Sequence, residues 1–384
     1  MIDSNRPVRV VHVITALTLG GAETALFRLL SNTDRERFES TVIALAGDGV
    51  MAPRIAALGV EVLDLGLRRG GFPNPLSIFS LARHLRRLQP DVVQSWMYHA
   101  DVLATLAVPL ARAAKLVWNI RCSEAAIDTS SQHPLKVVSL LALLSGRPDA
   151  VVVNSQSGLD YHAACGYTPR RWSLIPNGFD LDEFRVDAQA AASVRNELGL
   201  HSAAPLVGLI ARWDPLKDHR TFVEAARLLV DKRPDVHFLL AGNGTANSNQ
   251  TLATWIEERQ LGTNMHLLGE RDDIARITAS LDIASLTSVA EGFPNVVAEA
   301  MACGVPCVVT DAGDARWIIG DSGRVVPPRQ PAMLAGAWQE LLEMGPSEKL
   351  ELGRRARQRI STFFSIGRAT DAYEELYATL AQSE

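Results

Sequence analysis

Short runs of β-branched and other apolar residues alternate with longer amphipathic stretches along almost the whole chain, and no other feature constrains the fold as tightly. Residues 8–14, 40–45, 91–96, 115–120 and 150–153 read as strands, separated by helical stretches such as 22–30 and 76–88. Strands that are apolar on both faces and alternate with helices predict parallel sheets covered on both sides. The alternation restarts after Asp180 with strands at 206–211, 236–241, 265–268, 283–286 and 305–310. Each set has the size of one doubly wound domain. A chain of 384 residues also suits two domains, at ~100–200 residues each. The turn-rich Pro176-Asn177-Gly178-Phe179-Asp180 marks the boundary. Two Rossmann-like halves with a cleft between them are expected.

Composition removes several functional classes. With 47% apolar and 21% charged residues the chain is neither disordered nor a coiled coil. A net charge of −5 excludes a generally cationic nucleic-acid coat, and no nucleic-acid partner is expected. The charge is uneven: residues 1–180 carry 18 Lys and Arg against 15 Asp and Glu, and residues 181–384 carry 20 against 28. The four cysteines form no disulfide framework, and the Cys303/Cys307 spacing has no matching His or Cys pair for zinc. The first residues read as the lead-in to a strand, not a signal peptide. Apolar stretches such as 137–144 fall far short of the ~20 residues that span a bilayer, so a cytoplasmic protein is expected.

Three segments carry chemistry. The first strand runs into Gly20-Gly21 and then a helix, a turn that lets backbone amides approach an anion, or simply a tight turn. Neither it nor Gly242-Asn243-Gly244 has the third glycine of a dinucleotide fingerprint. After the strand at 206–211 come Arg212 and Lys217. A planar fork and a point charge at the carboxyl end of a parallel strand suit a diphosphate. The alternative is two solvated loop charges beside Asp214 and Asp218. In the segment from Glu291 to Gly304, Pro294 is placed to open a helix that Gly304 closes. Amides at that helix start suit a phosphate. The carboxylates of Glu291 and Glu299 suit sugar and ribose hydroxyls.

Taken in order, these motifs resemble the GT-B glycosyltransferases of the large retaining family four, the group 1 enzymes with two glutamates separated by seven residues. The resemblance rests on Gly20-Gly21, Asn154-Ser155, Pro176 to Asp180, Arg212 with Lys217, Glu291-Gly292-Phe293-Pro294-Asn295 with Glu299, and Gly323-Arg324-Val325-Val326-Pro327. It implies two Rossmann-like doubly wound domains facing each other across a cleft. Residues 1–180 would form the acceptor-side domain and 181–367 the nucleotide-sugar domain, with a helix at about 368–384 packing back on the first. It further implies transfer with retention from a nucleotide sugar to a hydroxyl of a glycan or lipid-linked glycan in surface polysaccharide or glycoconjugate synthesis. The attack would come from the leaving-group face, with the leaving phosphate as base.

The same resemblance assigns roles. Arg212 and Lys217 would neutralise the donor diphosphate, Glu291 would meet the donor sugar, and Glu299 would bind the ribose. Gly292, Phe293, Pro294, Asn295 and Val296 would surround sugar and phosphate, Arg271 would sit near the base, and Gly20 and Gly21 would close over the donor. No cofactor and no metal are expected, and UDP is preferred over GDP as the carrier. Relatives commonly place a histidine after the strand at 115–120, where this chain has Arg121 and Cys122. Either residue takes over the sugar contact or the sugar differs there; Cys122 also reads as a buried, inert thiol. His162 is a second candidate, or a structural helix residue.

Arg68, Arg69, Arg83, Arg86 and Arg87 form a basic cluster that suits anionic lipid at the inner face of the cytoplasmic membrane, or a solvated helix face. Two other functions fit the fold: a nucleotide-sugar epimerase, which would need further acids, and a catalytically inactive scaffold for a partner glycosyltransferase.

Overall fold

The computed structural model describes residues 6–47, 49–67, 74–111, 114–122 and 132–383. The chain divides into two compact units, Met1–Gly178 with Ile366–Glu384, and Phe179–Ser365.

The first unit is built on β1 (Val8–Ala16), β2 (Phe38–Ala46), β3 (Glu61–Asp64), β4 (Val92–Trp96), β5 (Lys115–Ile120), β6 (Ala150–Val153) and β7 (Trp172–Leu174). They form a parallel seven-stranded sheet in the order β3-β2-β1-β4-β5-β6-β7. Helices Pro75–Leu88, Tyr98–Ala111 and Gln132–Leu144 cover one face through a core that includes Leu81, Leu103 and Trp118. Helices Gly21–Asn32, Met51–Ala56 and Ile366–Gln382 cover the other, around Leu26, Trp96 and Tyr377. Such burial is why the strands read as continuous apolar runs: all five residues of β4 are buried. Each large side chain taken from water contributes ~1.5–3 kcal/mol.

The second unit carries β8 (Leu206–Ile210), β9 (His237–Ala241), β10 (Met265–Gly269), β11 (Ile283–Leu286), β12 (Cys307–Thr310) and β13 (Gly323–Val326). They pair in parallel in the order β10-β9-β8-β11-β12-β13. In both sheets the winding direction reverses beside the first strand, between β1 and β4 and between β8 and β11. Loops leaving the carboxyl ends at such a reversal frame the crevice where open α/β sheets bind ligands.

The central strands lie where the apolar runs predict them. Three strands without such runs, β3, β7 and β13, sit at sheet edges with most of their residues only half-buried.

Candidate active site

The reversal point of the second sheet is framed by the loops after β8 and β11, and these hold the paired cations and the first glutamate. Beyond Ile210 the chain passes Arg212 and tightens into a 3-10 turn, Pro215–Lys217. Asp214 caps that turn by accepting the Leu216 amide at 2.9 Å. Asp218, in the left-handed region at φ 46°, then caps helix His219–Val230 through the Thr221 amide. Two caps in five residues fix where Lys217 leaves the backbone.

Lys217 is ion-paired with Glu291, and both are largely buried, with side chains 18% and 12% exposed. The Ser288 hydroxyl donates to the same Glu291 oxygen at 2.6 Å. The two loops are tied together below this pair. Thr287 Oγ1 donates to the Lys217 carbonyl at 2.6 Å, and the Val289 amide to the Leu216 carbonyl at 2.9 Å. The loop of Glu291 is braced from β12 and its continuation. Thr310 Oγ1 donates to the Ser288 carbonyl at 2.6 Å, and the Asp314 amide to the Gly292 carbonyl at 2.9 Å. Gly313 passes so close, at φ +54°, that a Cβ there would stand 2.3 Å from the Glu291 carbonyl oxygen.

Arg212 behaves differently. Its side chain is 66% exposed and closes on Asp214 through Nε at 3.1 Å and Nη2 at 2.6 Å. Burial works against ionisation of Asp214, yet the Leu216 amide and Arg212 hold its carboxyl below the usual range. Behind this turn, buried His219 packs against Trp213, and burial drives its pKa down to about 4.

Helix Asn295–Ala302 begins after Pro294 with no side-chain cap, so the dipole and first amides at its start suit an anion. Phe293 is buried against Phe179, Phe364 and Trp317, which anchors the turn from the Glu291 loop into the helix. Val296 and Glu299 are half-buried on this helix. Arg271 is committed to carboxylates, pairing with Asp273 at 2.8 Å and Glu197 at 3.0 Å, with Arg276 joining the same network. The single Asp-x-Asp spacing, Asp180 to Asp182, is a local turn in which the Asp180 carboxylate accepts the Asp182 amide at 2.8 Å. Among the described residues no group of three or more His, Cys, Asp or Glu is arranged to hold a metal ion.

The remaining candidates lie in the first unit. Gly20 is the extended residue before helix Gly21–Asn32, and a side chain there would strike the Glu23 carboxylate, which accepts from Thr18 Oγ1 at 3.0 Å. Gly21 has open space around it. His162 is fully buried, with Nδ1 2.6 Å from the Gly158 carbonyl and Nε2 2.8 Å from the Tyr98 hydroxyl. That same hydroxyl lies 2.9 Å from Cys122 Sγ. This enclosure matches the structural alternatives for both residues, and burial pushes the Cys122 thiol up to about 11. Arg121 instead reaches Asn177 and Tyr373. Arg83, Arg86 and Arg87 are exposed on helix Pro75–Leu88, while Arg68 and Arg69 lie outside the described residues.

Asp214 pairs with Arg212 as the loop-charge alternative expects, whereas the contributions of Ser288, Thr310, Gly313 and Tyr98 are new. Only Ser288, three positions before Glu291, carried a local signal.

Comparison with known proteins agrees with this architecture. Residues 204–344 match the family model described as glycosyl transferases group 1, and residues 19–183 the model described as glycosyltransferase family 4. The chain is 23% identical over 388 residues to UDP-Gal:alpha-D-GlcNAc-diphosphoundecaprenol alpha-1,3-galactosyltransferase of Escherichia coli, covering 98% of each. It is 26% identical over 384 residues to D-inositol 3-phosphate glycosyltransferase of Mycolicibacterium gilvum, covering 93% of this chain and 80% of that one. Among solved structures, HepE of Anabaena in complex with UDP superposes with a TM-score of 0.83 at 23% identity, over 97% of this chain and 100% of that one. The two parallel sheets and the matches in both units make the fold GT-B, and the chain belongs to the group 1 glycosyltransferases.

Proposed function

We propose that this protein transfers a hexose, with retention and without a metal, from a UDP-sugar to a hydroxyl of a glycan or lipid-linked glycan in surface polysaccharide or glycoconjugate synthesis. The observation that carries this reading is the Lys217–Glu291 pair at the sheet's reversal point, beside the uncapped start of helix Asn295–Ala302. The leaving diphosphate is where negative charge accumulates, and Lys217, Arg212 and the helix-start amides are the groups that stabilise it. Opening the exposed Arg212–Asp214 pair costs little, since such pairs contribute about 0–1 kcal/mol. Arg212 is therefore easily recruited to phosphate. Glu291 lies next to Lys217, where it can accept from a sugar hydroxyl, and Glu299 accepts from the ribose.

In the reaction the acceptor oxygen bonds to the anomeric carbon on the face from which the phosphate departs. The carbon–oxygen bond to phosphate breaks, and the acceptor proton passes to the leaving phosphate oxygen. The second unit holds the donor and the first the acceptor. UDP as carrier is supported by the UDP complex of HepE and by the UDP-Gal donor in the name of the Escherichia coli relative.

The first unit also has a surface suited to the inner face of the cytoplasmic membrane. Leu76 and Phe79, 80% and 64% exposed, share a helix face with Arg83, Arg86 and Arg87. Arg86 donates to the Leu110 carbonyl at 2.6 Å, which joins this face to exposed Leu106 and Leu110. Helices Pro75–Leu88, Tyr98–Ala111 and Gln132–Leu144 contain one acidic residue, the buried Asp101. Apolar tips with cations, of which among the described residues only Arg87 faces an exposed carboxylate, Glu61 at 3.4 Å, suit an anionic lipid surface. No helix among the described residues is long and apolar enough to cross a membrane.

The test is nucleoside diphosphate release from UDP- and GDP-sugars with and without lipid-linked glycan, with the product anomer read by NMR. Acceptor-stimulated release of UDP and an unchanged anomeric configuration are expected. An inverted product would refute retention, and no release with any donor would refute the transferase reading.

A further inference from the structure

The chain leaves β5 through Arg121, at the carboxyl edge of the first sheet, and among the described residues no carboxylate pairs with this guanidinium. Nη2 donates to Asn177 Oδ1, which also accepts from Asn154 Nδ2 at 3.2 Å. Nη1 donates to the Tyr373 hydroxyl at 3.4 Å, a long contact. The Trp96 ring lies 5.5 Å from the guanidinium carbon. Two neutral acceptors therefore serve a group with five N–H donors. Arg121 is half-buried as a residue, so it is not sealed from solvent. Burial pushes its pKa down, and the charge of Arg28 acts in the same direction.

Two other partly enclosed arginines are neutralised by carboxylates: Arg195 pairs with Asp282 at 2.6 Å and Arg6 with Asp91 at 2.7 Å. Arg357 is held by three backbone carbonyls, a fuller set of acceptors than Arg121 has. Enclosing a cation without a counter-charge is expensive, and a purely structural role would be served as well by a neutral side chain. The cost is recovered when an anion arrives, and a planar fork is suited to two phosphate oxygens at once. The location agrees, because ligands of open α/β sheets bind outside the carboxyl ends of the strands. Asn154 and Asn177, which belong to the sequence motifs, thereby have a function: Asn177 accepts from the guanidinium, and Asn154 donates to the same Asn177 oxygen.

We propose that Arg121, set on Trp96 between Asn177 and Tyr373, is the receptor for a phosphate group of a ligand bound by the first unit. The phosphate comes from one of two sources, a phosphorylated or diphosphate-linked acceptor, or the diphosphate of the donor. The proposed transferase activity enters only in naming these sources, and it stands or falls separately on UDP release.

The experiment measures binding of inorganic pyrophosphate and of UDP to wild type, Arg121→Gln and Arg121→Lys by calorimetry, the pyrophosphate titration being repeated with UDP saturating. If the acceptor supplies the phosphate, pyrophosphate binds beside UDP. Arg121→Gln then weakens it at least tenfold, Arg121→Lys weakens it less, and UDP affinity is unchanged. If the donor supplies it, Arg121→Gln weakens UDP itself at least tenfold. Unchanged binding of both probes in Arg121→Gln overturns the proposal. Melting temperature without ligand gives a second readout. Relief of an uncompensated charge leaves Arg121→Gln as stable as wild type or more so, whereas a fall of several degrees with unaltered binding marks a structural arginine. Should Arg121→Gln not fold, Arg121→Lys keeps the charge and loses the fork; unaltered affinity for both probes then overturns the assignment.

Discussion

Lys217 and Arg212 stand five positions apart, yet their settings give them unequal roles. Lys217 is enclosed and held between two braced loops, whereas Arg212 reaches into solvent and is tied only to Asp214. A preorganised charge matters most where charge develops, so Lys217→Ala is expected to lower kcat about 10²-fold in steady-state kinetics, with folding intact. Wild-type turnover would remove Lys217 from the chemistry. Arg212→Lys should recover only part of the activity, because an ammonium cannot make a two-pronged phosphate contact. Glu299→Ala is expected to weaken UDP binding by about 1.5–3 kcal/mol, the contribution of a charge-assisted hydrogen bond; an unaltered Kd would refute the ribose contact. The candidate glutamates were legible from their spacing between breakers. The pairing of Lys217 with Glu291 across 74 positions was not, because only the fold brings their loops together. Cys122 and His162 were ambiguous for a related reason. Their character depends on Tyr98, a hydroxyl remote in sequence that closes both into one buried network.

At the scale of elements, legibility followed burial. Central strands such as β4 and β8 are covered on both faces, so selection for apolar residues leaves a continuous run. Three of the four edge strands, β3, β7 and β13, contain Glu61, Ser173 and Arg324, and only one side of each is paired. Their three or four residues carry too little apolar signal to separate strand from loop. The loop after β12 illustrates a dependence that no pattern reveals, since Gly313 is required by the loop it passes and not by its own neighbours. Gly313→Ala would place a Cβ against the Glu291 carbonyl in a backbone region costly to any other residue. A destabilisation of about 1–3 kcal/mol is expected in chemical denaturation, with a fall in kcat as the Glu291 loop is displaced. Wild-type stability and turnover together would show that the loop yields without consequence.

At the scale of the whole molecule, seven histidines share one electrostatic bias. His12, His84, His99 and His162 in the first unit, and His219, His237 and His266 in the second, are all held below their ordinary pKa, with burial the leading cause. The extremes are His12, at about 3, and His219, at about 4. Each is neutral in the folded chain at pH 5, while its unfolded counterpart takes up a proton below about 6.5. Between those values the unfolded state binds more protons, so stability is present above pH 6.5 and is lost as the pH falls. The slope is about 1.4 kcal/mol per pH unit for each deeply shifted histidine. Most carboxylates add their losses only at lower pH, but buried Asp101, its pKa raised by burial, works against the histidines of the first unit as the pH falls. The loss is therefore best read in the second unit, which holds His219. His219→Phe, which keeps an aromatic ring against Trp213, should lose less stability than wild type between pH 7 and pH 5 in thermal melts. The comparison is of slopes, so a variant less stable at pH 7 still reports correctly. Equal losses in the two proteins would show that His219 is charged in the fold, and that its enclosure behind the Lys217 turn is looser than the packing around Trp213 implies.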